Sequence, residues 1–168
     1  YQFYSTLNQV SYWKKIDEDK LQTAIDLFQE ELNWDKMWSV EDAKQRLDDG
    51  WLFSVLEIEN KLRGWYWLNY KTKEGLNLYV HKDCRGYGYG FGMISYIITA
   101  AKLRQLDYVW AQVDEWNTAS QKLFLKCGFM MHNLILGKNS IYHFQKIFGI
   151  TIQLGVWMSY LTNIVAAR

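Results

Sequence analysis

Apolar residues recur along this chain with two periods, and the switches between them mark the elements. Val10 to Ile16 reads as a short strand. Asp17, Glu18 and Asp19 then place negative charge where a helix N-terminus favours it. Leu21, Ala24, Ile25, Phe28 and Leu32 follow at helical spacing. Ser39 with Asp42 has the form of a capping box, opening a second helix that stops at Gly50. Trp51–Glu59 and Leu62–Tyr70, both rich in aromatic and aliphatic residues, flank Asn60-Lys61 and predict a hairpin. A third strand, Leu76–His81, runs into a glycine-rich turn. Phe91, Met93, Ile94, Ile97 and Ile98 then predict a helix to about Gln105. Tyr108–Val113 reads as a strand and Asn117–Cys127 as a helix closed by Gly128. Met130–Leu136 and Ile141–Ile147 flank Gly137-Lys138-Asn139-Ser140 as a last hairpin.

The order is β-α-α-β-β-β-α-β-α-β-β. Strands and helices mix without strict βαβ alternation, so an α+β domain with a mixed sheet is expected. The 168 residues suit one domain, residues 1–168. The last segment fits two readings. Phe148, Ile150, Ile152, Leu154, Val156, Met158 and Tyr160 alternate as in a strand, whereas Thr151, Gly155 and Ser159 form a small-residue face on a helix. No charge falls between Ile147 and Ala167, a stretch long enough to span a membrane. Thr151, Gln153, Ser159, Thr162 and Asn163 dilute it, so residues 148–168 are expected as a C-terminal extension that packs in the core or joins a homodimer rather than a membrane.

Composition narrows the function classes. Apolar residues make up 49% of the chain, which argues for a packed core. Nineteen basic residues against eighteen acidic ones leave no electrostatic footprint for nucleic acid. Two cysteines, Cys84 and Cys127, make no disulfide framework, and no charged-then-apolar signal segment is present, so a reducing, cytoplasmic setting is expected. His81, His132 and His143 lack metal-ligand spacing, so no metal is expected. The chain has no proline, so no turn is set by a proline ring, and its nine tryptophans and twelve tyrosines are unusually many.

The chemistry concentrates in Arg85-Gly86-Tyr87-Gly88-Tyr89-Gly90. A strand, a glycine turn and a helix present bare N–H groups to an anion. The turn lacks the Gly-Lys-Ser/Thr of a P-loop. It also fails the dinucleotide pattern, because Phe91 and Met93 stand where the third glycine belongs. What remains is R-x-x-G-x-G, with Arg85 adding a full charge beside the helix start.

This turn resembles motif A of the GNAT superfamily of N-acetyltransferases, whose pattern is Q/R-x-x-G-x-G/A after the fourth strand. Asn117-Thr118-Ala119-Ser120-Gln121-Lys122-Leu123-Phe124-Leu125-Lys126-Cys127-Gly128-Phe129 resembles motif B of the same family. The element order agrees from Val10 to about Ile147. The resemblance implies a central mixed, mostly antiparallel sheet flanked by helices, with acetyl-CoA or another acyl-CoA as cofactor. Backbone amides of Arg85, Gly86, Tyr87, Gly88, Tyr89 and Gly90 would hold the pyrophosphate. Tyr79, Val80 and His81 would pair with the pantetheine arm, and Asn117, Ser120 and Phe124 would contact the cofactor from the last helix. Asn117 also suits a helix N-cap, and the two roles can coexist. Trp34 and Trp38, in Asn33-Trp34-Asp35-Lys36-Met37-Trp38, would wall an acceptor pocket for a small-molecule or peptide amine.

The chain departs from the family at its proton-handling positions. Phe124 replaces the motif B tyrosine that protonates the departing thiolate in many relatives. Asn77 stands where a strand carboxylate often acts as base. His81, Asp114 and Glu115 remain as base candidates. Cys84 lies near a helix start, which could lower its pKa, but no nucleophile–base pairing surrounds it in sequence. The expectation is an N-acetyltransferase working by direct attack in a ternary complex. A non-catalytic acyl-CoA-binding or sensor module of the same fold is the alternative.

Overall fold

Strands β1 (Val10–Trp13), β2 (Leu52–Ile58), β3 (Lys61–Asn69), β4 (Glu74–Val80), β5 (Tyr108–Asp114), β6 (Met130–Ile135) and β7 (Ile141–Ile147) form one sheet, ordered β1-β2-β3-β4-β5-β7-β6. Every neighbouring pair is antiparallel except β4 and β5. Helices α1 (Val40–Asp48), α2 (Tyr89–Leu103) and α3 (Thr118–Lys126) flank it. This computed structural model describes residues 10–13, 19, 21–23, 25–26, 39–135 and 141–148. The expected mixed, mostly antiparallel architecture is the one found. Residues 14–18, the 33–38 loop with Trp34 and Trp38, the 137–140 turn and the 149–168 extension lie outside the described residues.

The sheet separates two apolar layers. On one side Met93, Ile94 and Ile97 of α2 and Phe124 of α3 pack with Leu56, Tyr66, Val109, Ala111, Val113 and Phe144. On the other side Ala43 of α1, with Leu21 and Ile25 from a helical segment, covers Phe53, Val55, Trp65, Trp67 and Tyr79. Alternation along each strand does this sorting, since successive side chains point to opposite faces. Stacked Phe53–Trp67 and Trp65–Tyr79 rings, 4.0 and 4.5 Å apart, fill the second layer. Such pairs add about 0.5–1.5 kcal/mol each beyond their buried area.

Local chemistry places the helices. Ser39 and Asp42 form the expected box: the Asp42 N–H donates to Ser39 Oγ at 3.1 Å and the Ser39 N–H to Asp42 Oδ2 at 2.8 Å. The Ser39 N–H on that carboxylate, helped by the Ser39 hydroxyl, holds the Asp42 pKa below its ordinary value. The third strand differs from expectation at both ends, beginning at Glu74 and stopping at Val80. His81 leaves it to start a 3-10 turn, Lys82–Cys84, whose Cys84 N–H donates to the His81 carbonyl at 2.8 Å.

Two irregularities open the middle of the sheet. Trp65 pairs with Tyr79 and Trp67 with Leu76, so three steps on β4 match two on β3. This bulge contains Asn77, at φ +55°, a left-handed conformation that asparagine tolerates better than most residues. Beside it, β4 and β5 share the single register pair Glu74–Trp110, and beyond it they part toward Val80 and Asp114.

Candidate active site

The parting strands make a cleft of about 670 Å³, a size typical of small-molecule sites. Its walls come from β4, the glycine turn, the end of β5 and the first turns of α2 and α3. Gly86 and Gly88 adopt φ of +82° and +86°, conformations in which a β-carbon is strained. Gly88 is the N-cap of α2, and no side chain caps that end. The first-turn N–H groups and the positive dipole end are therefore left without a side-chain cap, and no carboxylate lies in the first turn. Arg85 bends back over the turn, its Nε donating to the Val80 carbonyl at 2.9 Å. Gly90 lets α2 approach α3, since a β-carbon there would stand 2.9 Å from Leu123 Cδ2.

Of the expected cofactor residues, Tyr79, Val80, Arg85, Gly86, Gly88, Tyr89, Gly90, Asn117, Ser120 and Phe124 line this cleft. Tyr87 does not: its side chain is 63% exposed beside Tyr89. His81 does not line it either. It is buried, its backbone N–H donates to the Arg63 carbonyl at 2.7 Å, and its Nδ1 accepts from the Asp83 N–H. Asn117 caps α3, its side-chain oxygen accepting from the Ser120 N–H at 3.1 Å. Gln121 Nε2 donates to the carbonyls of Asp114 and Glu115, fixing the loop between β5 and α3.

Among the base candidates, Asp114 lines the cleft, while Glu115 is exposed outside it. Phe124 is 3% exposed and packs among Tyr66, Phe129 and Phe144. Cys84 lines the cleft, but burial pushes its thiol up and outweighs the Arg63 charge that pulls it down. The lowering expected from a nearby helix start is therefore not the net result.

Several residues that line the cleft, or make contacts outside its lining, had no functional signal in the sequence. Trp116, 65% exposed, stands at the cleft mouth with Lys126. Gln112 enters from β5. Arg46 of α1 donates from Nη1 to Asn77 Oδ1 at 3.2 Å across the bulge. Trp110 and His143 stack at 4.9 Å on β5 and β7. The periodicity of Arg46 and His143 assigns them to a helix and a strand, and only the tertiary fold shows what each one touches.

The sequence profile of the acetyltransferase (GNAT) family matches residues 13–129. No curated protein matches the chain significantly by sequence. Many solved structures share the fold. A ribosomal-protein-alanine N-acetyltransferase from Brucella melitensis superposes with a TM-score of 0.70 at 20% identity, over 83% of this chain and 99% of that one. An N-acetyltransferase from Staphylococcus aureus Mu50 gives 0.70 at 14% identity, over 82% and 98%. A phosphinothricin acetyltransferase from Sinorhizobium meliloti, solved in complex with acetyl-CoA, gives 0.68 at 14% identity, over 84% and 89%.

Proposed function

Since this chain belongs to the acetyltransferase (GNAT) family, we propose that it transfers an acetyl group from acetyl-CoA to a primary amine by direct attack in a ternary complex. One observation carries the reading: an uncapped helix N-terminus and two positive-φ glycines stand at the mouth of a cleft made by parting β4 and β5. That arrangement fits a long cofactor with an anionic middle and an extended amide arm. The Gly86–Gly88 turn would hold the pyrophosphate through backbone N–H groups. The free edge of β4 would pair with the arm as a neighbouring strand does. Asn117 would add a contact from α3 while keeping its cap.

Acetyl-CoA supplies an activated thioester. The chain must then orient it, polarise its carbonyl and remove a proton from the amine. A β4 backbone N–H near Val80, freed where the strands part, is the candidate oxyanion donor. Asp114 is the candidate proton acceptor, directly or through water, because it alone of the three base candidates lines the cleft. Phe124 has no proton to give. A thiolate whose conjugate acid has a pKa of about 8.5 is a fair leaving group without one.

The buried, hydroxyl-free Phe124 also favours a second reading, a module that binds acyl-CoA without turnover. Thermal unfolding with acetyl-CoA, CoA and longer acyl-CoAs tests the step common to both. Ligand that binds the folded chain raises the midpoint, by about 2.7 kcal/mol of added stability at a hundred times Kd. Midpoints that stay unmoved by any of them contradict both readings.

A further inference from the structure

We infer that Asn77, oriented by Arg46, reads a carbonyl or carboxylate oxygen beside the attacked amine, so that the acceptor is an α-amine of an amino acid or a peptide N-terminus. This deepens the acyl-transfer reading above and rests on it. The Arg46 guanidinium lies 4.9 Å from the Trp51 ring centroid and 5.5 Å from that of Trp67. Burial lowers its pKa. Its Nη1 meets Asn77 Oδ1 at 3.2 Å. A guanidinium only donates, so the amide must turn its oxygen toward Arg46. The Asn77 NH₂ is left to the cleft, which Asn77 lines at the bulge. Among the described residues that NH₂ makes no hydrogen bond.

The result is a donor group backed by a partly desolvated cation. It suits an oxygen acceptor beside the amine and offers no partner to a second donor group there. A carbonyl one bond from the amine-bearing carbon is the smallest feature that supplies such an oxygen. The proton chemistry agrees. α-Amines have a pKa of about 7.7–8.0 against about 10.4 for lysine, so at pH 7 roughly a tenth of the former are neutral and under about one in a thousand of the latter. Among the described lining residues the carboxylate is Asp114, on β5, and the bulge itself carries none. An acceptor that is already partly neutral places the smaller demand on this site.

Two assays on the full chain with acetyl-CoA test the inference. In the first, a short peptide with a free N-terminus and an internal lysine is acetylated, and mass spectrometry locates the acetyl group. The second compares alaninamide with isopropylamine at equal concentrations of neutral amine, so that only the carbonyl differs. The expected results are Nα modification and a kcat/KM about tenfold higher for alaninamide, the worth of one ordinary hydrogen bond. Asn77→Asp keeps the shape and tolerates the positive φ, yet offers oxygen instead of N–H, so the preference should disappear. Arg46→Lys should raise KM for alaninamide more than for isopropylamine, which a merely structural role would not do. Acetylation of the lysine side chain, or equal rates for the two small amines, overturns the inference and leaves acyl transfer standing. A midpoint raised by acetyl-CoA with no acetylation of any amine overturns the transferase reading, and this inference with it.

Discussion

The residues that shape the turn before α2 are small because their backbone conformations demand it. Gly88 sits at φ +86° with open space around the position where a β-carbon would stand, so strain alone opposes substitution there. A left-handed conformation costs an ordinary residue roughly 1–2 kcal/mol. Gly88→Ala should therefore lower the melting midpoint modestly. Any relaxation of φ turns the N–H groups at the start of α2, so the stabilisation by acetyl-CoA should fall much further than the midpoint. Equal thermal shifts in the variant and the parent would show that this turn does not hold the cofactor. The glycines could be picked out in the sequence because a cluster after an apolar strand is rare and has a physical use. Asn77 is different: its residue type suggested only a missing carboxylate. Its positive φ, its place in a bulge and its bond to Arg46 depend on a residue far away in the chain, and no local pattern encodes them.

Elements add a second layer of constraint, shown most clearly by α3. Asn117 accepts the Ser120 N–H and thereby starts the helix whose first turn lines the cleft. Asn117→Ala removes the cap and should cost about 1 kcal/mol of stability. Asn117→Asp keeps an accepting oxygen at a helix N-terminus, so its midpoint without ligand should match the parent or exceed it. If the asparagine NH₂ also binds cofactor, the acetyl-CoA shift should fall in both variants. A full shift in Asn117→Asp would leave capping as its role. The boundaries of α1, α3 and β7 follow from caps and alternation, which are local. The end of β4 does not: His81 looks like a strand residue but leaves the sheet to accept from Asp83 and Cys84. Likewise, alternation shows that Glu74–Val80 and Tyr108–Asp114 are strands. It says nothing about their running parallel, sharing one register pair and parting to form the site.

At the scale of the molecule, one sheet carries two layers with different tasks. The α2 and α3 layer meets the glycine turn and the β4–β5 cleft, whereas the α1 layer carries Arg46 toward the bulge. Among the described residues, no helix is long and apolar enough to cross a membrane. His143, stacked on Trp110, is held below the ordinary imidazole value of 6.5 by burial, with His132 adding to the effect. As the pH falls, the unfolded chain takes up this proton first. The contribution of His143 to stability is thus present above about 6.5 and is lost as the pH drops through the folded value. His143→Gln should make the fall in midpoint below about pH 6.5 shallower than in the parent. An unchanged slope would mean that the ring titrates alike in both states. The whole account turns on acyl transfer in the β4–β5 cleft, and the most direct measurement is the release of CoA thiol from acetyl-CoA with and without a peptide amine. The predicted result is release that depends on both the protein and the amine and rises with amine concentration to saturation. Release at the uncatalysed rate, from protein that acetyl-CoA demonstrably stabilises, would contradict it.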